Sequence, residues 1–574
     1  MTSHKRLIFF IAVFYFLLAS LVARAFFMQV ICHDFYVKKS AKQLTRIIKI
    51  YPHRGDIFDR NNIPLAVTET AYSAYAFPAQ IKNKALFCDQ VATALGIPYT
   101  TLYQRMTSGS PFVWIKRKID RISYAKLNSL HLHGMEFLKE DHRVYPNQMV
   151  ASHVLGFVGI DNQGLSGLEY MFDTFLKGSP GKIILEGDPR GYRVVSGYKK
   201  TLDTPYEGGN IITTIDSLIQ FKAQLHLKNG VEENGAISGV AIVMDPTNGD
   251  ILAMASYPEF DPNHWSSFSS SHRKNRAVLD VYEPGSVFKL VTLSGVLEEN
   301  LMDIDTSLYV PETIEIGTRT IKEAHGRMAT DSNSRTVSEI LEKSLNVGTS
   351  ILARQLGNDR FYRYIQKFGF GKKTGIEIAG EPAGLIKAPK YWVPSDTAMI
   401  SFGQSIAVTP LQMLMAGSVI ANHGMLIKPR ILNHISYNKD LSIKGIPKTE
   451  IGQIISKKTA EKMTEIMTRV VDRGTGEMAQ ISGFSVAGKT GTSQKARLDI
   501  KGYMEGQYVA SFLGFFPAKH PQYIILVVVD TPRKSIWGSS VAAPIFRRIA
   551  TDIIDYKQLI PDRMPSSNLL LKIQ

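Results

Sequence analysis

Residues 239–256 read GVAIVMDPTNGDILAMAS, and this stretch decides the fold of the second half of the chain. Two apolar runs flank Pro246-Thr247-Asn248-Gly249, a turn sequence that predicts a β-hairpin. Strand-like runs return only near the far end of the chain, at 484–488, 508–516 and 523–530. Helical patterns fill the region between, at 286–299, 336–354, 359–368, 408–422 and 458–472. We therefore predict an α+β domain at 211–560, in which helices flank an antiparallel sheet built from both ends of the region.

The N-terminal segment is apolar and long. Residues 7–23 carry no charge, and the segment continues after Arg24 to Ile31. A helix needs about 20 mainly apolar residues to cross a bilayer, so 7–31 can span one if Arg24 snorkels to its surface. A cleaved signal peptide is the alternative, which the missing small-x-small cleavage site weakens. Basic residues precede the span, so we predict a cytoplasmic tail and single-pass anchor at 1–31 in the cytoplasmic (inner) membrane, with the rest in the periplasm or outside.

The charge and cysteine content exclude several classes of protein. The net charge is +16, which can attract nucleic acid, anionic lipid or an acidic polymer. The basic residues are spread along the chain without zinc-finger spacing or an aromatic RNA-binding box, so we expect no nucleic-acid partner. Cys32 and Cys88 cannot make a disulfide framework. No His/Cys group has metal-ligand spacing, so we expect no metal and no cofactor.

The S-x-x-K pattern is the first candidate for catalysis. A serine becomes a nucleophile when a base takes its proton, and a lysine three residues later on a helix lies on the same face. If that lysine is desolvated, its pKa falls and the neutral amine can accept the proton. The pattern occurs at Ser123/Lys126, Ser179/Lys182, Ser196/Lys199, Ser271/Lys274 and Ser286/Lys289. Taken alone, each copy is more readily a coincidence than a site.

The setting of Ser286 separates it from the other copies. Pro284-Gly285 predicts a tight turn, after which Ser286 begins the apolar helical run SVFKLVTLSGVL. Lys289 would face the buried side of this helix, where its ammonium is disfavoured. The positive end of the helix favours a developing oxyanion. We therefore predict that Ser286 is the nucleophile and Lys289 its base.

A second hydroxyl and an amide are expected nearby, because the proton must be relayed to a leaving amine and a peptide carbonyl must be held. The S-x-N pattern occurs at Ser344-Leu-Asn346, Ser436-Tyr-Asn438 and Ser566-Ser-Asn568. Only the first copy lies among helical stretches downstream of Ser286. We predict that Ser344 and Asn346 belong to the site.

A strand that borders such a site needs a cation, hydroxyls for a substrate carboxylate, and a glycine that lets the backbone approach. The K-T-G pattern occurs at Lys373-Thr-Gly375 and at Lys489-Thr-Gly-Thr492. Only the second copy follows a strand-like run and ends in another hydroxyl. We therefore predict that Lys489, Thr490, Gly491 and Thr492 bind the substrate, with Lys373 as the weaker alternative.

The ordered set Ser286-x-x-Lys289, Ser344-x-Asn346, Lys489-Thr-Gly-Thr492 resembles the penicillin-recognising serine enzymes. Further segments resemble class B penicillin-binding proteins: RGDIFDR (54–60), GLSGLE (164–169), FGFG (368–371) with TGI (374–376), and FGQ (402–404) with TPLQ (409–412). Tyr282-Glu-Pro-Gly285 before the serine looks most like the division-specific peptidoglycan D,D-transpeptidase of that class. Lys534-Ser-Ile-Trp537-Gly-Ser-Ser departs from the Gly-Gly usual in the family, so we expect an altered loop beside the site.

The resemblance implies an elongated non-catalytic pedestal of the class B dimerisation type at 32–210, the transpeptidase domain at 211–560 and a tail at 561–574. It implies that Ser286 attacks the penultimate carbonyl of a peptidoglycan stem peptide ending in D-Ala-D-Ala. The backbone N–H groups of Ser286 and Thr492 would form the oxyanion hole, and the amine of a neighbouring stem peptide would take the acyl group. The implied partners are stem peptides, β-lactams as inhibitors, a membrane glycosyltransferase of the division machinery and other membrane proteins of division.

Several other functions remain open at this point. The elongation-specific class B transpeptidase is the closest rival. A non-catalytic division scaffold is the alternative from another class, against which all three motifs are chemically intact. A β-lactamase has no need of 200 or so preceding residues, and a carboxypeptidase would favour water over an amine. A bifunctional synthase would need a paired-glutamate site, for which Glu140 and Glu169 are individual candidates.

Overall fold

The computed structural model describes residues 3–50, 52–186, 199–324, 332–436, 443–497 and 502–563. Ser196, Asn438, the Ser566-x-Asn568 copy and residues 564–574 of the predicted tail lie outside the described residues. The helices are α1 (Ser3–Phe26), α2 (His33–Leu44), α3 (Lys84–Leu95), α4 (Tyr99–Thr107), α5 (Arg121–Ser129), α6 (Ser152–Leu155), α7 (Gly167–Met171), α8 (Asp173–Lys177), α9 (Ser217–Glu233), α10 (Arg276–Leu279), α11 (Lys289–Glu298), α12 (Val337–Glu342), α13 (Asn346–Leu356), α14 (Asn358–Lys367), α15 (Asp396–Ser401), α16 (Pro410–Ala421), α17 (Lys457–Arg473) and α18 (Gly538–Lys557).

The strands are β1 (Thr45–Ile50), β2 (Ile57–Phe58), β3 (Pro64–Ala76), β4 (Val113–Ile119), β5 (Met135–Val144), β6 (Gly181–Glu186), β7 (Lys199–Asp203), β8 (Asn210–Thr213), β9 (Ser238–Met244), β10 (Ile251–Tyr257), β11 (Ser307–Tyr309), β12 (Thr313–Ile316), β13 (Arg319–Lys322), β14 (Ser334–Thr336), β15 (Met425–Ile427), β16 (Leu432–Ser436), β17 (Ile443–Gly445), β18 (Glu450–Gln453), β19 (Ala487–Ala496), β20 (Tyr503–Phe516) and β21 (Tyr523–Asp530).

The chain divides into two units, of which one comprises residues 1–54 and 177–208. This unit contains α1, which runs through a π-helical turn at Phe27–Ile31, then α2, and the three-stranded sheet β1-β6-β7. The helix His4–Ile31 has 28 residues and is apolar enough to cross a membrane. No other helix within the described ranges passes that test of length and composition. The predicted N-terminal membrane-spanning helix is therefore supported by the structure.

The second unit, residues 55–176 and 209–574, begins with a small α/β layer. In it, β3 pairs with both β4 and β5, and α3, α4 and α5 bury an apolar face against these strands. Beside it lies a fully buried ion pair, in which Arg143 Nε donates to Glu169 Oε1 at 2.6 Å. Glu140 pairs with Arg117 at 2.5 Å. Because each of these glutamates is bound to an arginine, they do not form the paired-glutamate site that a bifunctional synthase needs.

The same unit contains a five-stranded antiparallel sheet in the order β10-β9-β21-β20-β19. The quoted hairpin forms as predicted: the Asp245 N–H donates to Asp250 O at 3.0 Å, and Gly249 turns the chain with φ +80°. Helices α9 and α18 cover one face of the sheet through residues such as Leu227 and Phe546. Helices α10 and α16 contact the other face, and α11 lies in the same core. Strands from both ends of the region therefore form one sheet with helices on both faces, which confirms the predicted α+β class.

Two local predictions were wrong, and both bear on the site. The helix predicted over 336–354 is broken: α12 ends at Glu342 and α13 begins at Asn346. Ser344 lies in the break with φ +57°, a left-handed conformation that no helix interior accepts. The strand predicted over 484–488 begins at Ala487 and continues to Ala496, so it contains the K-T-G motif. The Gly and Lys residues of this segment weaken its strand signal, but β20 pairs with it and fixes its conformation.

Candidate active site

Ser286 lies in a one-turn 3₁₀ helix, Gly285–Phe288, that leads directly into α11. Gly285 has φ +57°, and its N–H donates to Gly403 O at 3.1 Å. A Cβ at Gly285 would lie 2.7 Å from Thr492 O, so only glycine lets the nucleophile's turn approach β19 this closely. The turn predicted from Pro284-Gly285 thus sets the half-buried Ser286 beside the K-T-G strand.

Lys289 is fully buried on α11. Its Nζ donates to Ser344 O at 2.5 Å, to Asn346 Oδ1 at 2.9 Å and toward Ser344 Oγ at 3.3 Å. Burial lowers the pKa of Lys289 to about 7, against the opposing charge of Glu323. A substantial fraction of this lysine is therefore neutral near pH 7, as a proton acceptor must be. Among the described residues its hydrogen bonds go to the S-x-N segment and not to Ser286.

Ser344 lies in the break between α12 and α13, and Asn346 is the first residue of α13. The break turns the Ser344 hydroxyl toward both lysines, and Lys489 Nζ donates to Ser344 Oγ at 2.9 Å. Glu323 holds the start of α13, since its carboxylate accepts from the N–H groups of Asn346 and Val347. The Asn346 side chain also donates to Lys322 O at 3.2 Å, so its amide is fixed from two sides.

The K-T-G strand β19 carries the remaining predicted residues. Lys489 is fully buried, and burial together with the charge of Lys289 holds its pKa well below the usual range for lysine. The Thr490 hydroxyl lies 2.9 Å from that of Thr475. Thr492 Oγ1 accepts from the Gly538 N–H at 3.1 Å, so the hydroxyl hydrogen stays available for a ligand. A Cβ at Gly491 would lie 2.7 Å from Val287 Cγ2, which is the close approach that the motif predicts.

These side chains share one groove of about 930 Å³. Five of the predicted residues line it: Ser286, Ser344, Asn346, Thr490 and Thr492. Lys289 and Lys489 lie beneath its surface, each with no exposed area. The Ser344 and Thr490 hydroxyls that line the groove both contact Lys489 Nζ, so they lie between this lysine and the groove.

The other copies of the motifs have different surroundings. The Thr374 hydroxyl and the N–H groups of Thr374 and Gly375 all bind the Glu381 carboxylate, and Lys373 is exposed. This copy of K-T-G therefore binds a carboxylate of the same chain and does not line the groove. Among the S-x-x-K copies, Ser123 Oγ donates to Asp120 and Lys274 pairs with Asp280. Ser436 lies in β16, away from the groove.

Sequence reasoning missed three residues that border the groove or its lysines. Glu323 counteracts the lowering of the Lys289 pKa, and no motif marks it. Thr475 orients the Thr490 hydroxyl, and its N–H donates to Glu342 O at 3.3 Å. Glu283 lies three residues before Ser286. The feature predicted from this segment was the Pro284-Gly285 turn and not the Glu283 carboxylate. Only Arg473-Gly-Thr-Gly476, a turn sequence after a helix, gave a usable signal for Thr475.

The altered loop expected at 534–540 contacts the site through Gly538. The Gly538 N–H binds Thr492 Oγ1, and a Cβ there would clash with the backbone oxygens of Gly491 and Ser511. Trp537 and Ser539 line the groove beside it. The loop therefore has a glycine at the position that touches the K-T-G strand.

A nucleophilic serine at a helix start, two buried lysines around a second hydroxyl and a threonine-lined strand define a serine acyl-transferring enzyme. Residues 239–551 match the penicillin binding protein transpeptidase domain, and residues 49–213 match the penicillin-binding protein dimerisation domain. The chain therefore belongs to the class B penicillin-binding proteins, and it is a transpeptidase.

Relatives match over nearly the whole chain. Stage V sporulation protein D of Bacillus subtilis is 32% identical over 96% of this chain and 85% of its own length. The probable peptidoglycan D,D-transpeptidase PenA of Neisseria meningitidis is 31% identical over 96% of this chain and 92% of its own. The peptidoglycan D,D-transpeptidase FtsI of Escherichia coli is 29% identical over the same shares. Among solved structures, penicillin binding protein 3 of Mycobacterium tuberculosis in complex with ampicillin has a TM-score of 0.71 and 28% identity, covering 90% of this chain and 98% of that one.

Proposed function

We propose that this protein is a membrane-anchored serine D,D-transpeptidase that cross-links peptidoglycan stem peptides during septal cell-wall synthesis. The observation that carries the proposal is the Ser344 hydroxyl, which two buried lysines contact in a groove shared with Ser286 and Thr492. A hydroxyl placed between two amines can pass a proton in either direction. An acyl transfer in which one amine leaves and another enters needs proton transfer in both directions.

In the first half-reaction, Ser286 Oγ attacks the penultimate carbonyl of a donor ending in D-Ala-D-Ala. Neutral Lys289 takes the hydroxyl proton, directly or through Ser344, and the C–O bond forms. The N–H groups of Ser286 and Thr492 would hold the oxyanion; losing one such donor typically lowers the rate about 10²–10³-fold. When the C–N bond breaks, Ser344 delivers the proton to the departing D-alanine.

The donor's terminal carboxylate would bind the hydroxyls of Thr490 and Thr492 above Lys489. Lys489 has a lowered pKa because it is buried beside Lys289. An incoming carboxylate favours its charged form, and neutralisation of Lys289 removes the opposing charge. Binding of the donor is thus coupled to the proton distribution between the two lysines.

In the second half-reaction, the amine of a neighbouring stem peptide attacks the acyl-enzyme and gives up its proton to the Lys289–Ser344 pair. The peptide bond forms and Ser286 is released with its proton restored. Asn346, whose amide is held by Lys289 and Lys322, would bind the donor's peptide carbonyl. A β-lactam would follow only the first half-reaction and stay on Ser286.

The same proposal includes the membrane orientation, the domain bounds and the partners of the protein. His4, Lys5 and Arg6 precede the apolar helix, which favours a cytoplasmic N-terminus and a transpeptidase domain outside the cytoplasmic membrane. We propose domain bounds at 32–210 for the pedestal and 211–560 for the transpeptidase domain. Likeness to FtsI over 96% of this chain supports the division role. A membrane glycosyltransferase and other division proteins are the proposed partners.

The experiment that tests the activity uses the full-length protein in detergent with a stem pentapeptide donor and a second stem peptide as acceptor. D-Alanine release and a cross-linked dimer are both expected, and both should be lost in Ser286→Ala. Absence of dimer with undiminished D-alanine release would show a carboxypeptidase. A fluorescent fusion should collect at mid-cell; collection along the side wall would favour the elongation-specific alternative.

A further inference from the structure

Two helices end side by side next to the catalytic groove, and each places a hydroxyl in the site two residues after its own last residue. Helix α12 ends at Glu342, and Ser344 follows in the break before α13. Helix α17 ends at Arg473, and Thr475 follows in the next turn. Both hydroxyl residues line the groove. The relative position of the two helix ends therefore sets the relative position of the two hydroxyls.

An ion pair joins the last residues of these helices. Arg473 Nε donates to Glu342 Oε2 at 3.1 Å and Nη2 donates to Oε1 at 3.2 Å, so the guanidinium binds both carboxylate oxygens. Burial raises the pKa of Glu342, but the hydrogen bonds from Arg473 and Ser338 outweigh it and hold this pKa below its usual value. A carboxylate at the carboxyl end of a helix is otherwise unfavourable, because the helix dipole is negative there. Arg473 supplies the compensating charge, and we call this pair the Glu342–Arg473 clamp.

The turn after α17 also contacts α12 through its backbone. The Thr475 N–H donates to Glu342 O at 3.3 Å. A Cβ at Gly474 would lie 2.7 Å from the same carbonyl oxygen, so only glycine lets the turn approach α12 this closely. The clamp and this backbone contact together fix the turn on the end of α12.

On the groove side, the two hydroxyls meet at the K-T-G strand. The Thr475 hydroxyl lies 2.9 Å from that of Thr490. Lys489 Nζ donates to Ser344 Oγ at 2.9 Å and toward Thr490 Oγ1 at 3.4 Å. The contacts therefore form a closed ring that starts at Glu342, passes through Ser344, Lys489, Thr490 and Thr475, and returns to Glu342 O.

We propose that Glu342 and Arg473 are positioning residues, whose ion pair holds the Ser344 hydroxyl where it can exchange a proton with the buried lysines. Neither side chain lines the groove, so the clamp acts on the reaction only through the residues that it holds. The inference rests on the proposed function, because it concerns the relay hydroxyl of the same site. A misplacement of about 1 Å can lower a rate about 10²-fold. We expect a smaller loss here, because the Arg473 side chain is largely exposed and the backbone contact remains.

The test measures the rate constant of penicillin acylation and, separately, the amount of protein that is acylated at saturation. Full-length protein in detergent is mixed with fluorescent penicillin by stopped flow. Arg473→Gln and Glu342→Gln should each lower the rate constant about three- to tenfold, as expected for a charged hydrogen-bonded pair with one exposed partner. Unfolded molecules reduce the acylated amount but not the rate constant of the molecules that react. A role in stability alone would therefore leave the rate constant unchanged.

Two further variants separate the action of a pair from two independent effects. The double variant Glu342→Gln/Arg473→Gln should lose no more rate than either single variant, because each single change already breaks the same pair. Arg473→Lys keeps the charge but not the two-point geometry, so its rate constant should lie between those of the wild type and Arg473→Gln. Losses that multiply in the double variant would overturn the clamp.

A second ion pair on the last turn of α17 provides the matched control. Asp472 directly precedes Arg473, and Arg563 binds its two carboxylate oxygens at 2.7 and 3.0 Å; neither residue lines the groove. Arg563→Gln should be acylated at the wild-type rate. Equal losses in Arg563→Gln and Arg473→Gln, or a wild-type rate constant in Arg473→Gln, would contradict the clamp alone. A wild-type protein that penicillin does not label would contradict the proposed function itself.

Discussion

Lys289 and Lys489 direct their Nζ atoms at the same oxygen, the Ser344 hydroxyl, at 3.3 and 2.9 Å. Both lysines are fully buried, and no carboxylate lies within ion-pair distance of either among the described residues. Two ammonium groups this close in an enclosed site repel each other, so each lowers the tendency of the other to be charged. The pair is therefore a proton-sharing unit around Ser344 and not two independent cations.

The first prediction concerns the pH dependence of acylation. The pKa of Lys289 is lowered to about 7, and its neutral form is the base. The rate of penicillin acylation should therefore rise as pH increases through about 7 and level off above that value. Stopped-flow acylation between pH 5.5 and 9 would measure it, and a rate that falls over this range would contradict the role of Lys289.

Glu323 should shift that profile without abolishing the reaction. Its negative charge raises the pKa of Lys289, so Glu323→Gln should move the rising limb of the pH–rate profile to lower pH. The N–H groups of Asn346 and Val347 bind different carboxylate oxygens, so a glutamine oxygen keeps one of these two bonds at the start of α13. The comparison is made on the same acylation assay, with thermal unfolding as the control for folding. A shift to higher pH would show that Glu323 acts by another route.

The two K-T-G copies should differ sharply. Lys489→Ala should lower the acylation rate by at least about 10²-fold, because it removes an amine that contacts Ser344 in the groove. Lys373→Ala is the matched variant and should acylate like wild type, since Lys373 is exposed and its motif binds Glu381. Equal losses in the two variants would reopen the choice between the copies.

Gly491 should tolerate no side chain. A Cβ there would lie 2.7 Å from Val287 Cγ2 and 3.0 Å from Pro284 O, both in the segment around the nucleophile. Gly491→Ala should therefore lower penicillin labelling strongly. Gly445→Ala is the control, because its Cβ would meet only the His434 ring at an ordinary 3.5 Å. Full labelling of Gly491→Ala would mean that β19 and the nucleophile's turn can separate without loss.

The buried ion pair Arg143–Glu169 should matter for stability and not for chemistry. Glu169→Gln removes the nearer of the two carboxylates that pair with the buried Arg143 guanidinium and leaves only Asp56 at 3.6 Å; a broken buried pair costs up to about 3–5 kcal/mol. The melting temperature of the full-length protein in detergent should fall by several degrees, while the fraction that remains folded is still labelled at Ser286. An unchanged melting temperature would show that Arg143 is compensated by its bonds to Gly55 O and Thr68 Oγ1.

Much of this fold follows from the order of local patterns. The α+β sheet was predictable, because local strand propensity and turn chemistry agree with the strands observed. This holds for the hairpin at 239–256 and for the apolar runs at 508–516 and 523–530. The helix over 336–354 was not predicted with its break, because Ser344 has an ordinary propensity. Its left-handed conformation is imposed by the bonds around it, including the Ser344 N–H to Leu341 O at 3.1 Å.

In the site, too, some residues were predictable from the sequence and others were not. The motif residues were predicted from spacing and setting together: spacing gave five S-x-x-K and two K-T-G copies, and the turn, helix or strand around each copy separated them. Glu323 and Thr475 were not found, because each reaches the groove from an element distant in sequence from Ser286. Glu323 directly follows the hairpin β12–β13 and Thr475 lies in the turn after α17; the sequence indicates the turn itself but not that it lies beside the groove.

The central claim is that Ser286 is the acylated nucleophile, and the most direct measurement is labelling with fluorescent penicillin followed by mass spectrometry of the labelled peptide. The full-length protein should gain one penicilloyl group on the peptide that contains Ser286. Ser286→Ala should lose the label while keeping the wild-type melting temperature. A label that persists in Ser286→Ala, or that maps to Ser123, Ser179 or Ser271 in the wild type, would contradict the account.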